Sequence, residues 1–273
     1  MIAGAHSPLE AVLRRDRAII VVALAGVTVL AWLYVVRLAS AMDMGGMDMT
    51  GFRMLSTGFG MVMAPADRPW TAGEFALMAA MWTVMMIGMM TPSAAPMALI
   101  YAGAGRAAPS TRRLAATGWV VAGYLVAWTG FAIVATTAQL LLDRFAWLDP
   151  MMASASTPLA GAILIAAGLY QWTPWKNACL ASCQMPMVFI QRLGGFRGDV
   201  TGAVGLGLRH GFYCIGCCWA LMALLFAGGV MNVLWIAALS AFVLAERILP
   251  GGAWVSRIAG LGLAMAGVRL LFG

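Results

Sequence analysis

Charged side chains are scarce in this sequence. Only 10% of its 273 residues are Asp, Glu, Lys or Arg, against about 25% in an ordinary soluble domain. That shortage excludes a chain whose main solvent is water. The gaps between hydrophobic runs are short, so no polar stretch is long enough to build a separate soluble core. There is no phosphate-binding glycine loop, no nucleophile paired with a base and no internal repeat, which removes the common enzyme and solenoid signatures. Histidine is almost absent, with His6 in a polar tail and His210 inside an apolar run.

What remains is apolar. Hydrophobic residues make up 63% of the chain and its mean hydropathy is +0.89. A helix crosses the hydrocarbon layer with about 20 apolar residues, because every backbone polar group must find its partner within the segment. Segments 18–38, 75–101, 115–142, 158–175, 203–227, 231–249 and 253–272 approach that standard. The fourth is short and the seventh contains Arg257 and Arg269, so the count is seven or six. The expected fold is all-α: a polytopic transmembrane bundle forming a single membrane domain in a bacterial inner (plasma) membrane.

Arginines fix the expected orientation, since cytoplasmic loops carry the excess of Lys and Arg. Placing the N-terminus in the cytoplasm puts Arg14, Arg15, Arg17, Arg112, Arg113 and Lys176 inside. Residues 39–73 then form a Met-rich periplasmic loop and residues 176–202 a cytoplasmic loop. The net charge of +7 reflects topology and anionic headgroups, so the lipid bilayer is the partner and nucleic acid is not. Glu246 and Arg247, ending the sixth run, read as an interfacial anchor. Pro92, Pro96, Pro174 and Pro186 read as helix interruptions beside the sulfur-rich segments.

The chemistry is concentrated in sulfur. All five cysteines lie between positions 179 and 218. In KNACLASCQMP, Cys179 and Cys183 sit one helical turn apart. In LRHGFYCIGCCWALM, His210, Cys214, Cys217 and Cys218 share one face of a helix. A lone cysteine is a small apolar residue that buries readily. Five of them with a membrane-embedded histidine point instead to a soft or borderline metal, for which thiolate and imidazole are the preferred ligands. A disulfide framework fits less well, because the count is odd and the cluster lies toward the reducing side.

Methionine is also abundant, with 22 residues. Met42, Met44, Met47 and Met49 fall in MDMGGMDM, and Met78, Met81, Met85 and Met89 form a stripe at helical spacing. Thioethers bind Cu(I) and ignore harder ions. Met44, Met47, Met49, Met81, Met85 and Met89 are therefore secondary ligand candidates, although a methionine stripe also packs well as a flexible core.

The runs MWTVMMIGMMTPSAAPM, YQWTPWKNACLASCQMP and GLRHGFYCIGCCWALMALLFAGGVMN, with Glu246 and Arg247 downstream, resemble a family described as predicted metal-binding integral membrane proteins. The resemblance covers about residues 75 to 270. It implies a membrane bundle with Cys179, Cys183, His210, Cys214, Cys217 and Cys218 as ligands, and it departs at Arg247, where the family's Glu–Lys pair would place lysine. The expectation is a non-enzymatic protein that binds copper(I) and passes it on, by transport or by delivery to a periplasmic metalloprotein or membrane enzyme complex. Zinc or an iron–sulfur cluster are the other cofactors considered, and a membrane thiol/disulfide or metal-dependent oxidoreductase is the alternative function.

Overall fold

The computed structural model describes residues 8–41, 52–65, 67–149 and 152–272. It is an all-α bundle with one small hairpin. The helices are α1 (Pro8–Ala41), α2 (Ala72–Ala104), α3 (Ser110–Arg144), α4 (Thr157–Tyr170), α5 (Pro174–Gln184), α6 (Pro186–Arg192), α7 (Val200–Ala223), α8 (Leu225–Gly228), α9 (Val233–Ile248) and α10 (Gly252–Phe272). Strands β1 (Phe52–Ser56) and β2 (Met61–Pro65) pair antiparallel between α1 and α2.

Among the described residues, α1, α2, α3, α7 continued by α8, and α10 are long and apolar enough to cross a membrane. Helices α4 and α9 occupy the remaining two apolar runs and are shorter. The outer surface matches a lipid solvent: Val22 on α1 is 70% exposed and Ile258 on α10 is also 70% exposed. Polar groups lie inside instead. Asp16 of α1 and Arg113 of α3 form a buried ion pair, and the Trp82 indole of α2 donates to Gln139 of α3 at 2.7 Å.

Two segments differ from the sequence reading. Residues 176–202 contain most of α5 and all of α6 before α7 begins, so little of the expected loop is open. Pro174 and Pro186 each occupy the first helical position of α5 and α6, where a missing N–H costs nothing. Part of the Met-rich segment 39–73 folds as the hairpin, which is held to the bundle by Arg53 and Trp70 reaching Asp143 at 3.3 and 2.8 Å. Met42, Met44, Met47 and Met49 lie outside the described residues.

Pro92 and Pro96 do not break α2, which runs through both. Pro92 has no N–H to give the carbonyl four residues earlier. That carbonyl, Gly88 O, accepts instead from the Trp32 indole of α1 at 3.2 Å. A neighbouring helix thus satisfies the group that proline releases, as membrane bundles require.

Small residues set the closest contacts. A Cβ at Gly207 of α7 would strike the Val120 carbonyl of α3, and one at Gly123 would strike the Val204 carbonyl. Helices α4 and α10 meet in the same way through Gly168 and Gly260. Gly207→Ala is expected to lower the thermal midpoint of the detergent-purified protein, at a cost of about 1–3 kcal/mol for overpacking. Gly205→Ala, which meets open space, should be neutral or stabilising by up to about 1 kcal/mol through helix propensity.

Candidate metal centre

Helix α7 carries most of the candidate ligands, and its start is well defined. The Asp199 carboxylate caps it by accepting from Gly202 N–H at 2.7 Å. That hydrogen bond holds the exposed Asp199 carboxyl below the usual carboxylate range. Beyond the glycine contact with α3, the helix turns His210, Cys214, Cys217 and Cys218 inward, and all are buried.

The three α7 thiols surround a guanidinium. Arg247 Nη2 lies 2.9 Å from Cys214 Sγ, 3.1 Å from Cys217 Sγ and 3.7 Å from Cys218 Sγ. Its Nη1 donates to Ser93 Oγ of α2 at 2.8 Å. The thiols of Cys217 and Cys218 both turn back to the Cys214 carbonyl at 3.1 Å. Tyr124 of α3 closes one side, its hydroxyl donating to Met90 O at 3.0 Å and lying 2.9 Å from Cys214 Sγ.

Beside Arg247 lies a second buried charge system. Lys176 of α5 is 0% exposed and reaches both carboxylate oxygens of Glu246 at 2.8 and 2.9 Å. Lys176 also donates to Gln171, and Ser256 of α10 donates to Glu246 Oε1 at 2.6 Å. Glu246 and Arg247 are thus no interfacial anchor. They are buried at 1% and 8% exposure, because α5 and α10 cover the end of α9. The pair Lys176–Glu246 ties α5 to α9 and so places the first cysteine pair. Cys183 packs against the cluster that contains the α7 thiols, while Cys179 lies against Gly216, where a side chain would crowd its sulfur.

His210 stands one turn from Cys214 between two rings, 5.6 Å from Tyr124 and 5.6 Å from Phe189. It is 2% exposed and neither ring nitrogen has a hydrogen-bond partner. An unpaired buried polar group costs about 1–3 kcal/mol, so this imidazole keeps both ring nitrogens open at a cost to stability.

The four α7 residues share its buried inner face and the α5 pair packs against the same core, without forming a finished shell. Among the described residues, no group of three or more His, Cys, Asp or Glu is arranged to hold a metal ion. Metal–thiolate bonds are about 2.3 Å long, and Arg247 Nη2 occupies the space that an ion shared by the three sulfurs would need. Met81, Met85 and Met89 are buried on the inner face of α2. Arg247, Lys176, Glu246, Tyr124 and Ser93 join the cluster without belonging to the cysteine and histidine motifs. The available signal was an ionisable pair at the end of an apolar run, which in membrane segments marks function by default.

A family model described as PpoB2, copper chaperone, matches residues 79–270. The chain belongs to this family. No curated protein and no solved structure matches it. The matched residues of this copper chaperone family member run from α2 to α10 and include all the thiols, His210 and the two buried charge systems.

Glu246→Gln would leave Lys176 charged and uncompensated in the interior. Breaking a buried pair in this way typically costs about 3–5 kcal/mol. Thermal unfolding in detergent is expected to show that loss, and Lys176→Met combined with Glu246→Leu should recover most of it.

Proposed function

We propose that this protein is a membrane-embedded copper chaperone that holds Cu(I) as cargo at the thiols of Cys214, Cys217 and Cys218, with Cys183 and His210 as further ligands and Cys179 at the rim. One observation carries the reading: three buried thiols share a single guanidinium where an arginine would ordinarily meet a carboxylate. Among the described ion pairs, Arg247 takes part in none.

Sulfur is the ligand Cu(I) prefers, and geometry with ligand softness decides selectivity. A monovalent ion held by two or three thiolates leaves the cluster with net negative charge. In a low-dielectric interior that charge needs a counter-ion close by, and Arg247 supplies it. Loading then requires the guanidinium to step back from the sulfurs while staying near, as its bond to Ser93 permits. Thiol protons leave as the ion enters, because metal binding to cysteine releases protons.

Membrane helices fit a carrier that exchanges its ion with a partner at the bilayer, which we place in the bacterial inner membrane with the N-terminus in the cytoplasm. Thiol/disulfide exchange is the second reading, favoured by five free cysteines on α5 and the α7 helix it packs against. It differs in outcome: Cys217→Ser would trap a mixed disulfide with a substrate protein, which a chaperone would not form.

Anaerobic titration of the full-length protein with Cu(I), against a competing chelator, tests the assignment. The wild-type chain should hold a tightly bound equivalent. Cys214→Ser/Cys217→Ser/Cys218→Ser should weaken it by more than roughly a hundredfold, since changes outside the ligand shell alone cost about 10- to 100-fold. Equal affinity in the two proteins would overturn the site.

A further inference from the structure

The hairpin between α1 and α2 carries a second set of sulfurs that the thiol site does not use. In the register of β1 and β2, Met54 lies opposite Met63 and Ser56 opposite Met61. Side chains alternate along a strand, so Met54, Met61 and Met63 share one face. Directly opposed residues have Cβ atoms about 4.5–5.5 Å apart. A fourth thioether arrives from α2, where Met78 Sδ accepts from the Ser56 N–H at 3.3 Å. Met54 and Met78 are buried, Met61 and Met63 are half-buried, and all four join one hydrophobic cluster. Arg53 points to the other face of β1 and its charge is offset by Asp143.

We propose that Met54, Met61, Met63 and Met78 form a thioether site for Cu(I), separate from the thiol cluster. As the entry point for copper it rests on the chaperone reading above; as a binding site it stands alone. Thioethers are soft, neutral donors that suit Cu(I) and Ag(I). They leave the ion its full positive charge, so they hold it less firmly than thiolates and release it readily.

The choice of residue argues against simple filling of space. Strand positions favour β-branched and aromatic residues, yet this face of the hairpin presents three methionines. The adjoining stretch of α2 sorts its side chains by chemistry. Between residues 77 and 90 the buried positions are Met78, Met81, Trp82, Met85, Met86, Gly88, Met89 and Met90, while Leu77, Val84 and Ile87 lie outside that set. Leucine and methionine exchange in cores at small cost. The fully buried positions nevertheless hold methionine rather than leucine, with Leu77 exposed and Val84 and Ile87 half-buried.

The column also joins the two sites. Met78, Met81, Met85 and Met89 follow one another at about one helical turn on the inner face of α2. The turn at its far end is bonded from α9 and α3: Ser240 donates to Met89 O at 3.1 Å, and Tyr124, which touches Cys214, donates to Met90 O. A weakly held ion at the hairpin thus lies at the head of a thioether column that ends beside the thiols.

The test compares wild type with Met54→Leu/Met61→Leu/Met63→Leu in full-length protein purified without oxygen. Titration with Ag(I) as a redox-silent probe should reveal a weaker equivalent beside the tight one. The triple variant should lose the weaker equivalent, keep the tight one and load it roughly tenfold more slowly. Met61→Leu/Met63→Leu, which spares the buried positions, should show the same change in smaller degree. In selenomethionine-labelled wild type loaded with Cu(I), selenium-edge absorption should detect a copper neighbour that the triple variant largely lacks. Unchanged stoichiometry and loading rate, or no copper–selenium contact in the labelled wild type, would overturn the thioether site. Loss of the tight equivalent in the cysteine variant is a separate result and bears only on the thiol assignment.

Discussion

The guanidinium of Arg247 among the thiols of α7 is the interaction on which the organisation of this bundle turns. A charge in the interior of a membrane protein is costly, and it persists where the surrounding structure supplies compensation. Here the compensation is unusual, because the groups facing Nη2 are the sulfurs of Cys214, Cys217 and Cys218 and the Cys214 carbonyl. The second arm is held by Ser93 of α2. Three helices, α2, α7 and α9, therefore meet at one cation, and the neighbouring Lys176–Glu246 pair adds α5 and, through Ser256, α10.

Close backbone packing makes that convergence achievable. Glycines at 123, 207 and 211 let α3 and α7 approach until a side chain would not fit. This approach brings Tyr124 to Cys214 and stacks it near His210. The bundle is thus assembled in the manner of membrane proteins, with small residues and internal polar contacts providing specificity and an apolar exterior facing lipid. The same logic explains why α2 survives two prolines: Trp32 of α1 takes up the carbonyl that Pro92 cannot.

Much of this architecture is legible in one dimension. Long apolar runs announce the spanning helices, and the spacing of Cys214, Cys217 and Cys218 announces a common face. The family's copper description agrees with the sulfur chemistry of that face. Other parts are invisible for definite reasons. Helices α5 and α6 are short, each begins at a proline, and glycines and charges follow them, so the segment reads as a loop until the ion pair of Lys176 shows α5 buried. Glu246 and Arg247 read as an anchor because a charge at the end of an apolar run has the same pattern whether water or another helix covers it. The hairpin is hidden because methionine carries little strand signal and its alternation is lost among glycines.

The central claim is that copper is held by the sulfurs that now surround Arg247. X-ray absorption at the copper edge, on full-length protein loaded with one equivalent of Cu(I) under anaerobic conditions, addresses it directly. The account predicts a first shell dominated by two or three short sulfur bonds of about 2.3 Å, the length typical of metal–thiolate contacts. A shell made only of nitrogen and oxygen would contradict it.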